Sequence, residues 1–431
     1  MDSQNIQETL YGKKIDTANI LNISEAKVIR DTFVKNNIED EKFDNRVIVI
    51  TGVTGQDGSH MVDYLLKNTN ALIFGGVRRL SVYNHKNLAH IPASSRFHLV
   101  NFDLTDSHAI SSIVEKLQPD YLINFAAQSF VASSWDFARQ TWQTNSTSVL
   151  DILESIRHYR PSCRFYNAGS SEEFGNVAYS PQDENHPLRP RSPYGASKAA
   201  ARQIVKVYRE SYNLYAIQSW LFNHEGTRRG EEFVTRKITK GVARIKHSID
   251  NNTTFAPIEL GNIYAQRDWS DSEDFVECVW MMLNQDIYRK DAGVIQQSYI
   301  KRGKILLPQD CNPTWNKVLS ENIKEYVLSS SETHTIKEFV EKAFKIAGID
   351  GVWHGEGLNE EFCINVKQVP QLKPHSSVLV KINRNFYRPA EVELLLGNSQ
   401  LFRQDFNWKP KTSFDELVSK MVTCDLNDVN I

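Results

Sequence analysis

RVIVITGVTGQDGSHMVDYLLK, residues Arg46 to Lys67, reads as a buried strand, a glycine-rich turn and an amphipathic helix in immediate succession. Arg46 to Ile50 is an apolar run of strand length, and Met61 to Lys67 repeats apolar residues at helical spacing. Between them Gly52, Gly55 and Gly58 form G-x-x-G-x-x-G, with Gln56 and Asp57 in the same loop. Glycines there let backbone N–H groups approach a pyrophosphate without side-chain obstruction, and the helix N-terminus adds partial positive charge. Three glycines alone make only a tight turn. A strand before them and a helix after them point to a dinucleotide, with Gly52, Gly55, Gln56, Asp57 and Gly58 as its contacts.

Short apolar strands recur outward from this point, at Ala71 to Val77, Phe97 to Val100, Tyr121 to Asn124 and Phe165 to Asn167. Helical segments separate them, at Ile110 to Leu117, Val149 to Tyr159 and Ala199 to Tyr212. Strands alternating with helices predict an α/β fold, a Rossmann-type doubly wound parallel sheet. Residues 1–45 read as a polar extension, weakly helical around Ile23 to Val34. Residues 46–222 form the dinucleotide domain. Residues 223–431 supply most of a smaller α/β lobe for substrate, with chain crossovers between lobes expected. An unusual stretch near 287–322, carrying YRKD, KRGK (Lys301 to Lys304) and QDCNPTW, reads as a surface insertion.

Composition bounds the function. Hydrophobic residues make up 41% and charged residues 24% of 431, which is enough to bury a core, and the formal charge of −2 gives no reason to expect nucleic acid or an anionic membrane. No apolar run approaches the ~18 residues of a membrane span, and the first residues lack the pattern of a secretory signal. The five cysteines, Cys163, Cys278, Cys311, Cys363 and Cys424, are scattered without a C-x-x-C, which fits reduced thiols in the cytoplasm. No histidine falls in an H-E-x-x-H arrangement, so no metal is expected.

The end of the second strand bears on the cofactor. An NAD site usually carries an acid there, about 20 residues past the glycine loop, to bind the ribose 2′-hydroxyl. This chain has Arg78 and Arg79, whose guanidinium groups suit a 2′-phosphate and so favour NADP. Asp103 and Leu104 follow the third strand, where they can cap the adenine. Ala126, Ala127, Gln128 and Ser129 follow the fourth, where small residues can pass under the nicotinamide ribose.

Tyr194 and Lys198, in YGASK, lie four apart and share a helix face. A tyrosine with an ordinary pKa of about 10 is a poor base at neutral pH, and a neighbouring ammonium favours its phenolate. Tyr194 can then take a hydroxyl proton while hydride leaves the same carbon.

A glycine loop followed downstream by Y-x-x-x-K resembles the extended short-chain dehydrogenase/reductases, which include epimerases, reductases and dehydratases of nucleotide sugars. In that resemblance Ser170, in SSEEFG, is the hydroxyl partner of Tyr194. Glu172 separates the subclasses. A 4-epimerase needs only Ser, Tyr and Lys, whereas loss of water from a 4-keto sugar needs a group that takes the C5 proton and protonates the departing C6 hydroxyl. Glu172 is assigned that role; neighbouring Glu173, pointing the other way on an alternating strand end, is expected to be exposed.

Longer strings, SWLFNHEGTRRGEEFVTRKI (Ser219 to Ile238), LGNIYAQRDW (Leu260 to Trp269) and NFYRPAEVELLLG (Asn385 to Gly397), are similar to the GDP-mannose 4,6-dehydratase family. The resemblance implies Ser170, Glu172, Tyr194 and Lys198 as catalytic groups, with Lys198 also on the nicotinamide ribose. It places His224 and Arg229 at the cofactor, and Asn223, Arg236, Lys237, Arg267, Arg388 and Glu391 on the GDP-sugar. It also implies a homodimer or homotetramer. HEGTRRG in place of HESPRRG, Phe174, Trp135 and Gln140 depart from the family pattern, and leave a GDP-manno-heptose open beside GDP-mannose as substrate. A 4-epimerase or 4-keto reductase is the more distant alternative.

Overall fold

The computed structural model describes residues 20–36, 46–79, 84, 86–91, 96–293, 300–301, 304–305, 322–365, 377–387 and 394–428. At its centre is an eight-stranded sheet. Its strands are β1 (Ile20–Leu21), β2 (Val47–Thr51), β3 (Leu72–Val77), β4 (Phe97–Asn101), β5 (Tyr121–Asn124), β6 (Arg164–Ala168), β7 (Ala216–Leu221) and β8 (Val327–Leu328). They lie in the order β1-β4-β3-β2-β5-β6-β7-β8, every neighbouring pair parallel. β2 and β3 are buried at every position, as VIVIT and LIFGGV require of strands covered on both faces. The order reverses between β3 and β5 around β2, which opens a crevice at the carboxyl end of β2, where the glycine loop begins.

Helices cover both faces. α1 (Ile23–Asn36), α2 (Gln56–Asn68), α3 (Ser107–Leu117), α4 (Ser148–Tyr159) and α5 (Pro193–Tyr212) come from the first half of the chain. α3 and α5 begin earlier than apolar spacing alone predicts, because capping residues set their starts. Asp106 accepts from His108 N at 2.9 Å, and Ser192 accepts from Gly195 N at 3.0 Å with Pro193 in the first turn. The earlier start of α5 carries Tyr194 and Lys198 into its first two turns.

Part of the N-terminal extension docks on the sheet. Ile20 and Leu21 pair with Leu99 and Val100 as an added edge strand, and Leu21 and Ala26 join the core beneath α3 and α4. Residues 1–19 and 37–45 of that extension lie outside the described residues.

The second lobe packs α6 (Val234–Asp250), α8 (Ile336–Ile346) and α10 (Phe414–Leu426) with the strands Ile258–Leu260, Gly351–His354, Glu361–Ile364 and Val378–Ile382 around a core of its own. Elements from the second half of the chain also build the first lobe. α7 (Ser272–Leu283) packs beside α2 in its core, α9 (Gln400–Phe406) joins that core, and β8 extends the central sheet. Most of residues 287–322, expected to be an insertion, is outside the described residues, apart from its two ends and a hairpin of Ile300–Lys301 with Lys304–Ile305. Those ends meet where buried Arg289 donates to the Asn322 carbonyl.

Candidate active site

The glycine loop is built for close approach. Gly52 has φ +70°, and a Cβ on it would stand 2.8 Å from Ala126 N; one on Gly58 would stand 2.3 Å from the Gly52 carbonyl oxygen. Only glycine keeps this turn tight enough for the α2 N-terminus to face the crevice. Arg78 and Arg79 are exposed at the carboxyl end of β3. A bare backbone cradle, a helix N-terminus and two exposed guanidinium groups fit a phosphorylated dinucleotide. Asp103 holds the turn after β4, accepting from Thr105 N at 2.9 Å, while Leu104 is buried in the core. Ala126, Ala127 and Gln128 line the exit of β5 half-buried, and Ser129 is exposed.

Asp57 differs from its neighbours in the loop. Its carboxylate receives His224 Nε2 at 2.9 Å, and His224 Nδ1 sits 2.8 Å from the Phe222 carbonyl. Burial alone would raise the Asp57 pKa, but His224 and Arg229 outweigh it and hold it at about 2. The same pairing raises His224 against its own burial. Arg229 pairs with Glu225 at 3.0 Å and lies 3.6 Å over the Phe233 ring. Thus His224 grips the glycine loop through Asp57, and Arg229 acts on that carboxylate by its charge.

The residues expected to be catalytic converge at the carboxyl end of β6. Ser170 caps the short turn Ser171–Glu173, accepting from Glu172 N at 3.2 Å, and its side chain is hydrogen-bonded to that of Tyr194. Glu172 is nearly buried and close enough for its charge to act on Tyr194. Lys198 Nζ donates to the Ala168 carbonyl at 2.7 Å and lies 5.9 Å from the Tyr194 ring centre. The sequence expectation that the ammonium would bring the phenol down is not met, and burial is the physical reason. Burial pushes Tyr194 up to about 12, with the Ser170 hydrogen bond and Arg229 opposing it and Glu172 and Glu173 adding to it. Burial likewise lowers Lys198 to about 8, against the pull of Glu173 and Asp57.

Glu173 also corrects the sequence reading. It is fully buried and ion-paired with Arg202. Ser171–Glu173 forms a 3₁₀ turn rather than a strand end, so alternation does not govern it, and what surrounds the carboxylate is protein and not solvent.

Composition gave no warning of a polar ladder beneath the site. Thr51 Oγ1 meets Asn124 Oδ1 at 2.5 Å, Asn124 Nδ2 donates to Asn167 at 2.7 Å, and Asn167 Nδ2 donates to Gln218 at 2.6 Å. These residues sit on adjacent strands β2, β5, β6 and β7 and run from the glycine loop to the catalytic turn. Asn145 is a second residue missed. It lies in a π-helical turn, Gln143–Thr147, and ties Gln128 N (2.9 Å) to Ser197 Oγ (3.2 Å) on α5. Such turns recur at functional sites, and a run of polar residues inside a helix (QTNST) is the signal that could have found it.

The residues expected to hold the nucleotide sugar divide. Asn223, half-buried, has a buried Oδ1 with no hydrogen-bond partner among the described residues. Lys237 lies 3.6 Å over the Phe386 ring, its pKa lowered by burial. Arg267 is buried in a short strand, where it donates to the Gln266 carbonyl at 2.9 Å. Arg236 turns inward to pair with Asp425 at 2.8 Å, so its charge is already engaged within the lobe. Arg388 and Glu391 lie outside the described residues. Among the described residues no cluster of His, Cys, Asp and Glu could hold a metal ion, and no helix is long and apolar enough to cross a membrane.

Comparison with known proteins places this arrangement. The family model described as GDP-mannose 4,6 dehydratase matches residues 49–301 and 308–421. The GDP-mannose 4,6 dehydratase of Drosophila melanogaster is 37% identical over 390 residues, covering 89% of this chain and 86% of that protein. The human protein of that name is 36% identical over 388 residues (88% and 91%), and the one from Vibrio cholerae serotype O1 is 34% identical over 391 residues (88% and 94%). Among solved structures, dTDP-glucose 4,6-dehydratase from Bacillus anthracis in complex with NAD superposes with a TM-score of 0.64 at 17% identity, covering 89% of this chain and 98% of that one. RMD from Pseudomonas aeruginosa, complexed with NADPH, gives 0.60 at 19% identity, covering 88% and 97%. At those identities the structures speak for the fold.

Proposed function

The chain belongs to the GDP-mannose 4,6-dehydratase family, and we propose that it converts GDP-mannose to GDP-4-keto-6-deoxymannose and water, with NADP as resident cofactor. The observation that carries this reading is the meeting of Ser170, Glu172, Tyr194 and Lys198 at the end of β6, beside the glycine loop. A nicotinamide cofactor held at the glycine loop would supply the two-electron chemistry, hydride transfer at C4 and C6.

The chain's own residues do the rest. Tyr194 takes the C4 hydroxyl proton as hydride departs, and Ser170 holds the C4 oxygen. Tyr194 does this as the phenolate, which the Ser170 hydrogen bond and the Arg229 charge favour and burial opposes. Lys198 places a cation one helical turn away. The C4 ketone makes the C5 proton acidic; Glu172 removes it and passes a proton to the C6 hydroxyl, which leaves as water. A solvent-derived proton then returns to C5, and Tyr194 releases its own, so the cycle is balanced.

The preference for NADP is supported by Arg78 and Arg79 at the end of β3. Asn223, Lys237 and Arg267, with Arg388 and Glu391, are assigned to the GDP-sugar. The enzyme is proposed to work in the cytoplasm as a homodimer or homotetramer. Incubation of purified protein with GDP-mannose, and separately with GDP-manno-heptose, followed by mass spectrometry, tests the reading. Loss of one water from GDP-mannose is expected, and an unchanged mass contradicts it.

A further inference from the structure

Glu173 stands directly behind the reaction centre. One carboxylate oxygen accepts from the Ser170 N–H at 2.8 Å and from Gln218 Nε2 at 3.0 Å, and the other accepts from Arg202 Nε. Arg202 is buried, lies 3.4 Å over the Trp220 ring, and donates to the Gln218 carbonyl at 2.6 Å and to Glu325 at 3.0 Å. Glu325 in turn takes Arg209 at 2.9 Å. Two acids and two guanidinium groups thus form a charge-balanced buried cluster.

Such a cluster is a poor way to stabilise a fold, because desolvation of the ions consumes most of their attraction, and apolar residues of like volume often serve as well. What apolar side chains cannot do is accept the Ser170 N–H. The geometry around that bond is tight: a Cβ on Gly169 would lie 2.0 Å from the Ser219 carbonyl oxygen and 2.7 Å from Glu173 Oε1. Gln218 carries the hold further, donating to the Lys198 carbonyl at 3.0 Å. Glu172 is reached through its own N–H, which bonds Ser170 Oγ at 3.2 Å.

We propose that Glu173 is a positioning residue for the dehydration: paired with Arg202, it clamps the Ser170 backbone and, through Gln218, the Lys198 backbone. Hydroxyl, carboxylate, phenol and ammonium then keep one mutual geometry. Glu173 itself touches no substrate. The inference rests on the dehydratase reading for its kinetic consequence and on the hydrogen bonds alone for its structural one.

Two charge-balanced double variants separate a clamp from a merely structural role. Glu173→Gln with Arg202→Gln retains an acceptor for the Ser170 N–H, and Glu173→Leu with Arg202→Leu deletes it; both leave the Glu325–Arg209 pair. In the leucine pair, amide hydrogen exchange across residues 169–175 should quicken at least about tenfold, following loss of a buried hydrogen bond. Its kcat for GDP-mannose should fall roughly 10- to 100-fold, with KM within about threefold, as expected when catalytic groups are displaced rather than removed. The glutamine pair should stay within about fivefold of the unaltered enzyme in both measures, because it keeps that hydrogen bond. Glu173→Asp, which preserves the charge but shortens the reach to Ser170, should lose kcat without losing melting temperature. Unaltered exchange at 169–175 in the leucine pair, or activities that merely follow the melting temperatures of the variants, overturns the proposal. Should the unaltered chain fail to dehydrate GDP-mannose, the functional reading falls, and the exchange rates still decide the clamp.

Discussion

Alanine substitution at the three loop glycines should weaken dinucleotide binding in a fixed order, Gly58 most, then Gly52, and Gly55 least. At Gly58 the new Cβ would stand 2.3 Å from the Gly52 carbonyl oxygen and 2.7 Å from Val53 Cα, all of it backbone anchored between β2 and α2. Forcing a methyl into such packing costs about 1–3 kcal/mol. With about 1.4 kcal/mol per factor of ten, that is roughly a 5- to 150-fold loss of affinity. At Gly52 the left-handed φ of +70° costs a non-glycine residue roughly 1–2 kcal/mol, and the contact with Ala126 N at 2.8 Å adds to it. At Gly55 the backbone is extended (φ −77°, ψ 179°), and the new Cβ meets only the Gly52 carbonyl oxygen, at 3.2 Å. A shift of a few tenths of an ångström accommodates it, so binding should stay within about threefold, close to the cost of an ordinary surface substitution. Calorimetric titration of each folded variant with NADP reads the series. If Gly58→Ala binds as tightly as the unaltered chain, or Gly55→Ala is damaged as badly as Gly58→Ala, the loop does not hold the pyrophosphate as described.

Three further outcomes are expected. Arg78→Ala should lose ~1.5–3 kcal/mol of NADP affinity and little NAD affinity, read by paired titrations; equal losses would remove the basis for assigning NADP. Glu172→Gln should bind both ligands and slow dehydration by ~10²–10⁴-fold while a reduced-cofactor signal builds at 340 nm, whereas Tyr194→Phe should show no such signal, since general acid–base groups contribute in that range. Burial raises the Asp268 pKa to about 7 against hydrogen bonds from Ser330, Ser331 and Gly397. A folded-state value above the unfolded one means that its contribution to stability is full below about pH 4 and is lost as pH rises through 7, by up to roughly 4 kcal/mol. Asp268→Asn should therefore flatten the fall of melting temperature between pH 4 and 7, and superimposable profiles would contradict the sign.

The sheet was legible because parallel strands covered on both faces are apolar throughout: VIVIT and LIFGGV admit little else. The loop and the Y-x-x-x-K pair were legible because their chemistry is local, within a turn or one helical repeat. Three things were not. The docking of α1 depends on pairing between Ile20–Leu21 and a strand almost eighty positions away, which no local pattern records. The place of Glu173 depends on a 3₁₀ turn, an arginine on α5 and an acid just before β8, so a strand-alternation rule could not give its surroundings. The inward turn of Arg236, which the family resemblance places on the GDP-sugar, depends on Asp425, on a helix from the other end of the chain.

GDP-mannose carrying deuterium at C4 tests the central claim most directly. The account predicts a product lighter by one water, with the deuterium now on C6 and, in ordinary water, a solvent hydrogen at C5. A product of unchanged mass epimerised at C4, or a dehydrated product from which the C4 deuterium has been lost to solvent, would contradict it.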